Sequence, residues 1–398
     1  MPWLTNVRLP LERACGHDRN RLWRIGVDDA GVIAALEPLD AGSHAAGIDW
    51  GGDWLSPMGV DLQINGGLGL AFPELTPADL PRLEQLLERL WADGVEAICP
   101  TLVTCGVEPL RQALAVLAEA RRRHRSGRCR LLGAHLEGPF LAYERRGAHP
   151  AEHLAAPSLE ALAERIGGLR CGPGWEQPDD IALVTLAPEL AGSDAVIRAL
   201  RDRGAVVSLG HSAANEAQAQ AAFDAGVSML THALNAMPDM HRRAPGPVAA
   251  ALLQGDVALG LIADGVHVAP TMAVLLQRLA PDRVVIVSDA LAPYGLEDGV
   301  HRWDERELHV SGGSCRLADG TLAGVTLPLL EGAVRLARWS GRPERAIAAA
   351  TVLPRRVLGE QRSLPQLLVG RPLGETLRWR QGKEGLQWRQ GDHSEREP

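Results

Sequence analysis

Residues 181–211 read IALVTLAPELAGSDAVIRALRDRGAVVSLGH. Two apolar runs, Ile181–Ala187 and Ala205–His211, flank a polar turn and a segment, Ser193–Arg203, with apolar residues at helical spacing. Strand, helix and strand within roughly 30 residues is the βα unit of a parallel sheet. The second run closes on Gly210-His211, so an imidazole emerges where the strand stops.

The alternation extends in both directions. Strands are predicted at Gly59–Asn65, Ala97–Thr104, Leu131–Glu137, Ser228–His232, Leu259–Asp264 and Val284–Asp289. Helices are predicted over Thr76–Ala92, Val107–Arg123, Ser158–Ile166 and Asn215–Ala225. Eight strands in all point to an α/β chain folded as a (β/α)8 TIM-type barrel. The crossover through Arg243–Leu253 is the least regular. Residues 290–324, rich in Gly and Asp, read as an insertion after the eighth strand; Val325–Trp339 reads as the closing helix, with a short helix from Pro343. Near the start, Leu22–Val27 and Val32–Leu36 flank turn residues and predict a hairpin. The tail carries strand-like pieces at Thr376–Arg380 and Leu386–Arg389. The expected organisation is a barrel over 57–354 and a small β-sandwich domain built from 1–56 and 355–398, with Gly391–Pro398 frayed.

Bulk properties narrow the function. The formal net charge of −8 argues against nucleic-acid binding, which needs a basic face. The basic run Arg121–Arg125 reads as a solvated helix end that complements the helix dipole. No stretch reaches ~18 uncharged apolar residues, so no membrane span is expected. The first residues lack a basic segment followed by an apolar run, and the cytoplasm is the expected location. Six scattered cysteines form no C-x-x-C pair, which removes a zinc ribbon and a disulfide framework; Cys99 and Cys105 read as small core or rim residues.

A barrel of this kind does its chemistry at the C-terminal ends of its strands. Here those ends carry Gln63 and Asn65, His135 and Glu137, His211, His232, Asp264 with His267 just beyond it, and Asp289. Two imidazoles and a carboxylate with one open position form a known catalytic zinc arrangement. An aspartate beside it can take a proton from water and return it to a leaving amine. Glu137, His211 and His232 are therefore the candidate metal ligands and Asp289 the candidate acid/base. His135 shares a strand face with Glu137, which suits a packing or orienting role. Gln63 and Asn65 either satisfy local backbone or are the remnant of a second metal position.

Several segments resemble the N-acetylglucosamine-6-phosphate deacetylase family of the amidohydrolase superfamily. They are 57–67 (PMGVDLQINGG), 135–141 (HLEGPFL), 147–150 (GAHP), 210–212 (GHS), 231–238 (THALNAMP), 264–268 (DGVHV), 288–293 (SDALAP) and 322–324 (LAG). The resemblance implies Glu137, His211 and His232 as metal ligands and Asp289 as general acid/base. It implies His149 near the scissile acetyl group, and Ala148, Asn235 and Ala236 as substrate contacts. Arg243 and His267 would hold the 6-phosphate, partly across a homodimer interface, and Leu322, Ala323 and Gly324 would line the acetyl side. The implied reaction is hydrolysis of N-acetylglucosamine 6-phosphate to glucosamine 6-phosphate and acetate by a metal-bound hydroxide. The runner-up readings are a deaminase or cyclic-amide hydrolase on the same barrel, or a deacetylase of a different N-acetyl amino-sugar phosphate. Strand one offers Gln63-x-Asn65 in place of His-x-His, and the only lysine, Lys383, lies outside the strands, so one divalent ion per subunit is expected, zinc ahead of iron, manganese or cobalt. The chain departs from the family pattern at Ser288, at Val325 and in Gly370–Leu377.

Overall fold

The computed structural model describes residues 2–10, 21–40, 46–175, 177–304 and 306–394. Eight parallel strands form the centre: β1 (Gly59–Ile64), β2 (Val95–Val103), β3 (Ala134–Glu137), β4 (Ile181–Leu186), β5 (Val206–Leu209), β6 (Met229–Leu230), β7 (Ala258–Ile262) and β8 (Val284–Val287). Each pairs with the next in sequence order. The ring closes where the Asp289 amide donates to the Gln63 carbonyl at 2.8 Å and the Asn65 amide to the Ala290 carbonyl at 2.7 Å. Every residue of β4 and β8 is buried, as expected of strands covered by side chains within and helices without.

The surrounding helices follow from local chemistry. Helix α1 (Leu80–Ala92) buries Leu80, Leu83, Leu86, Leu87 and Leu90 on one stripe. A capping box between Thr76 and Asp79 precedes it, so the predicted first turn is a separate 3-10 turn, Pro77–Asp79. Helices α2 (Val107–Arg122), α3 (Leu159–Ile166) and α4 (Ser193–Asp202) match the periodicity closely. In α5 (Glu216–Ala225), Asn215 caps the start and Gly226, at φ 116°, stops the end. The irregular sixth crossover contains a short helix, α6 (Gly246–Gln254), and α7 (Pro270–Leu279) follows β7.

Residues 290–324, expected as a Gly- and Asp-rich insertion with no strands assigned to it, are built into a sheet. They carry an antiparallel sheet of Gly299–Trp303, Arg306–Ser311, Ser314–Leu317 and Leu322–Val325. Its central hairpin turns on Gly312 and Gly313, at φ 57° and 88°, a pair only glycine adopts without strain. Val325 belongs to this sheet, and the closing helix α8 (Leu329–Ser340) starts after Pro328.

The chain ends do pair. Trp54–Pro57 runs antiparallel to Thr376–Gly382, which forms a hairpin with Gly385–Gln390. A second sheet holds Trp3–Val7, Trp23–Val27, Ile33–Pro38 and Ile48–Asp49. Arg378 ties the two together through an ion pair to Asp53 at 2.8 Å and a face contact with the Trp50 ring. Its guanidinium also holds the Ser394 carbonyl at 2.6 Å, so the tail expected to fray is anchored through residue 394; residues 395–398 lie outside the described residues.

Candidate active site

Glu137 is the last residue of β3, and its carboxylate is buried at the barrel mouth. His211 and His232 each stand two residues beyond their strands, after Gly210 and Thr231. Both strands were expected to run through the histidines. They stop short because His211, His232 and Asp289 hold φ of 48°, 31° and 50°, left-handed conformations that break the ladder and swing the side chains inward. Such backbone carries strain of order 1–3 kcal/mol per residue and clusters at functional sites. Gly210 is required by close approach: a Cβ there would meet Thr231 at 2.7 Å and Thr185 at 2.8 Å.

Three ligand-type atoms converge. His211 Nε2 and His232 Nε2 lie 3.2 and 3.1 Å from Glu137 Oε1 and 3.0 Å from each other. His211 Nδ1 donates to the Arg145 carbonyl at 2.9 Å, which leaves Nε2 with its lone pair facing the cluster. Two imidazole nitrogens aimed at one carboxylate oxygen, on a triangle about 3 Å on edge, suit an ion with bonds of ~2.0–2.1 Å. Among the described residues this is the group of His, Cys, Asp and Glu placed to hold a metal. Burial would raise the Glu137 carboxyl, but hydrogen bonds and charge from His211 and His232 hold it well below the usual carboxylate range.

Asp289 faces this cluster from the far side. Burial, reinforced by the charge of Glu137, pushes its carboxyl above the ordinary value. His149 completes the group, its ring edge-on to His211 with centroids 4.4 Å apart. Its Nδ1 is engaged by Thr104, 2.9 Å from the hydroxyl and 3.3 Å from the amide, which leaves Nε2 turned toward Glu137 Oε2 at 3.9 Å. Burial and the neighbouring histidine depress it to about 3, so the ring is neutral at physiological pH.

A cavity of about 350 Å³ opens over these groups. Glu137, His211, His232, Asp289 and His149 line it, with Ala148, Asn235, Ala236, His267, Asn65, Leu322 and Ala323. His267 is oriented by Asp264, whose Oδ2 lies 2.7 Å from its Nδ1. Gly324 is buried outside the lining, packed against the Asp289 carbonyl so closely that a Cβ would sit 2.8 Å from that oxygen. Gln63 lies beneath the lining, bonded to Glu137 and Asp289. Arg243, unlike these, is exposed and does not reach the cavity of its own chain. His135 sits lower in the barrel, between the Thr101 and Thr185 hydroxyls at 3.2 and 2.7 Å.

Other lining residues carried no signal in the sequence. Arg145 and Glu144 come from a 3-10 turn at Tyr143–Arg145, between two recognisable segments. Trp303 reaches the cavity from the inserted sheet, and Arg306, stacked on its ring, donates to the Ala148 carbonyl at 2.8 Å. Only the pairing of the inserted strands brings these two against the His149 loop.

No protein-family model matches the chain. It is 36% identical over 324 residues to an N-acetylglucosamine-6-phosphate deacetylase of Bos taurus, covering 78% of this chain and 76% of that one. A Vibrio furnissii protein of the same name is 34% identical over 87% of this chain and 84% of its own. An N-acetylgalactosamine-6-phosphate deacetylase of Escherichia coli O157:H7 is also 34% identical, with 86% of each chain covered. Among solved structures, the Mycobacterium smegmatis N-acetyl-D-glucosamine-6-phosphate deacetylase in complex with N-acetyl-D-glucosamine-6-phosphate aligns at TM-score 0.75 and 29% identity, covering 92% of each chain. The Pasteurella multocida enzyme aligns at 0.76 and 26% identity over 98% of this chain and 100% of that one. By fold, metal-ligand cluster and extended similarity, the chain belongs to the N-acetylglucosamine-6-phosphate deacetylase family of the amidohydrolase superfamily.

Proposed function

We propose that this chain removes the acetyl group from N-acetylglucosamine 6-phosphate, releasing acetate and glucosamine 6-phosphate. The observation that carries this reading is the convergence of Glu137, His211 and His232 with Asp289 on one cavity. Glu137, His211 and His232 would hold a single divalent ion, for which zinc suits a His2Glu donor set, and when bound it would supply Lewis acidity and make water at the site more acidic. Asp289 accepts the proton of the attacking water and passes it to the departing amine nitrogen. His149, neutral and held by Thr104, presents Nε2 to the carbonyl oxygen as charge develops there. Asn235 and the backbone at Ala148 and Ala236 contact the sugar, and Leu322, Ala323 and Gly324 shape the acetyl side.

His267 is placed in the cavity to contact the 6-phosphate. Arg243 lies outside it, with Met240 exposed nearby and Val266 exposed beside His267. These apolar side chains on the rim favour a homodimer in which Arg243 of one copy reaches the phosphate in the other. No described helix is long and apolar enough to cross a membrane. A cytoplasmic location is a separate part of the proposal and suits a sugar-phosphate substrate. The barrel spans 57–354 in this reading, with 1–56 and 355–398 forming the small β domain.

Acetate release by metal-loaded protein from N-acetylglucosamine 6-phosphate is the test. Asp289→Asn should lower kcat by roughly 10²–10⁴-fold. No release by the wild-type chain, or equal release by the variant, would sink the reading. The galactosamine relative supports a second reading with the 4-epimer as substrate; the ratio of kcat/KM for the two sugar phosphates decides between them.

A further inference from the structure

Beneath the proposed metal ligands, strand β1 sends up two amides that the reaction described above does not use. Gln63 Nε2 donates to Glu137 Oε1 at 3.0 Å and to Asp289 Oδ1 at 3.2 Å. Asn65 Nδ2 donates to the same Asp289 Oδ1 at 2.8 Å. Both side chains are buried, at 1% and 4% exposure, so none of these bonds is diluted by bulk water. The carbonyl oxygens Gln63 Oε1 and Asn65 Oδ1 are themselves buried and unpartnered, so each amide sacrifices its acceptor in order to aim its donor at a carboxylate.

Two buried carboxylates this close repel each other, and such pairs are ordinarily kept together by a cation or a shared proton. Here one –NH2 group spans them. Its nitrogen lies within hydrogen-bond distance of two acid oxygens, one belonging to the metal-ligand glutamate and one to the acid/base aspartate. The second amide doubles the hold on Asp289 through Oδ1. Asp289 Oδ2 carries no such bond among the described residues, and the aspartate lines the cavity.

We propose that Gln63 and Asn65 are positioning residues that stand in for a second cation. They pin Asp289 by one oxygen, leave the other free to carry the proton, and bridge it electrostatically to Glu137. This assignment rests on the deacetylase reading for its kinetic consequences but not for its geometry. It also replaces the view of these amides as an idle remnant. Barrel closure is what builds the clamp: the backbone bonds between Gln63 and Asp289, and between Asn65 and Ala290, set the two strand ends side by side.

The test uses Asn65→Ala, Gln63→Ala and the shape-conserving Asn65→Asp, each loaded with metal. Kinetics, bound metal per chain and a crystal structure are measured for each. Loss of an outer partner of this kind typically lowers activity by about 10–100-fold, and that loss is expected in kcat, with KM and one metal per chain retained. Asn65→Asp keeps the volume but exchanges the donor for an acceptor, so it should lose at least as much as Asn65→Ala. In the crystal structure of Asn65→Ala the Asp289 carboxylate should turn away from its wild-type orientation. Wild-type kcat in Asn65→Ala, a loss confined to KM or to metal content, or recovery in Asn65→Asp would overturn the clamp. If the wild-type chain releases no acetate, the deacetylase reading fails by itself. The clamp then stands or falls on the orientation of Asp289, with an unmoved carboxylate in Asn65→Ala refuting it.

Discussion

At the scale of the residue, what matters is how few side chains combine strained backbone with deep burial. His211, His232 and Asp289 all take left-handed φ values at the barrel rim, and Glu137 sits among them with its charge compensated by histidines. Arg243 is the counterexample, an exposed arginine outside its own cavity. If it meets the phosphate across a dimer, Arg243→Ala removes a charge-assisted hydrogen bond of about 1.5–3 kcal/mol. KM for the phosphorylated sugar should then rise roughly 10–100-fold with kcat little changed, and activity on unphosphorylated N-acetylglucosamine should not move. Steady-state kinetics with both sugars checks this, and equal losses on both would refute it. Glu137, His211, His232 and Asp289 were legible in the sequence because each closes an apolar run, whereas His149 lies in a loop and was reached only through the family resemblance. Thr104 and Arg145 were not legible, because a hydroxyl and a carbonyl acquire meaning only from what they touch.

At the scale of the element, the predicted strands and helices hold to within a few residues where apolar periodicity is strong. β4 is the clearest case, with Leu183 fully buried in the barrel wall. Leu183→Ala should destabilise the protein by about 2–5 kcal/mol, since surrounding strands cannot collapse into the gap. Leu253, 79% exposed on α6, should change stability by no more than about 0.5 kcal/mol when replaced by alanine. Urea denaturation of both variants checks the contrast. The inserted sheet was missed for a physical reason. Its strands are half-exposed and short, so their alternation competes with Gly and Asp turn signals, and it is their mutual pairing that makes them strands.

At the scale of the whole molecule, the barrel interior couples stability to pH. His135 is pushed down to about 4, chiefly by burial. The unfolded chain takes up a proton at this imidazole below about pH 6.5, whereas the folded chain resists it until much lower pH. The stability tied to His135 is therefore fully present above about pH 6.5 and is lost as pH falls toward the folded value. His149, depressed the same way to about 3, adds to the slope, while Asp61, raised to about 7 by burial, works against it. The His135→Gln variant isolates the first contribution. Its stability should fall less than wild type between about pH 7.5 and about pH 5 in urea titrations. An identical fall in both proteins would show that His135 is protonated without penalty.

Local pattern alone determined the barrel, its eight strands and the residue types at their ends, because a period of two and a period of 3.6 are written within each segment. The expectation of one metal came from setting the amides at 63 and 65, and the lone lysine outside the strands, against the family the sequence resembles. Tertiary structure decided the rest. Closure of β8 onto β1 set Gln63 and Asn65 against Asp289, more than 220 positions away in the chain. Folding of the inserted sheet carried Trp303 and Arg306 to the His149 loop, and the fold of the crossover after β6 leaves Arg243 exposed outside the cavity. These are contacts between distant segments, and only the closed, packed chain supplies the distances on which their chemistry depends.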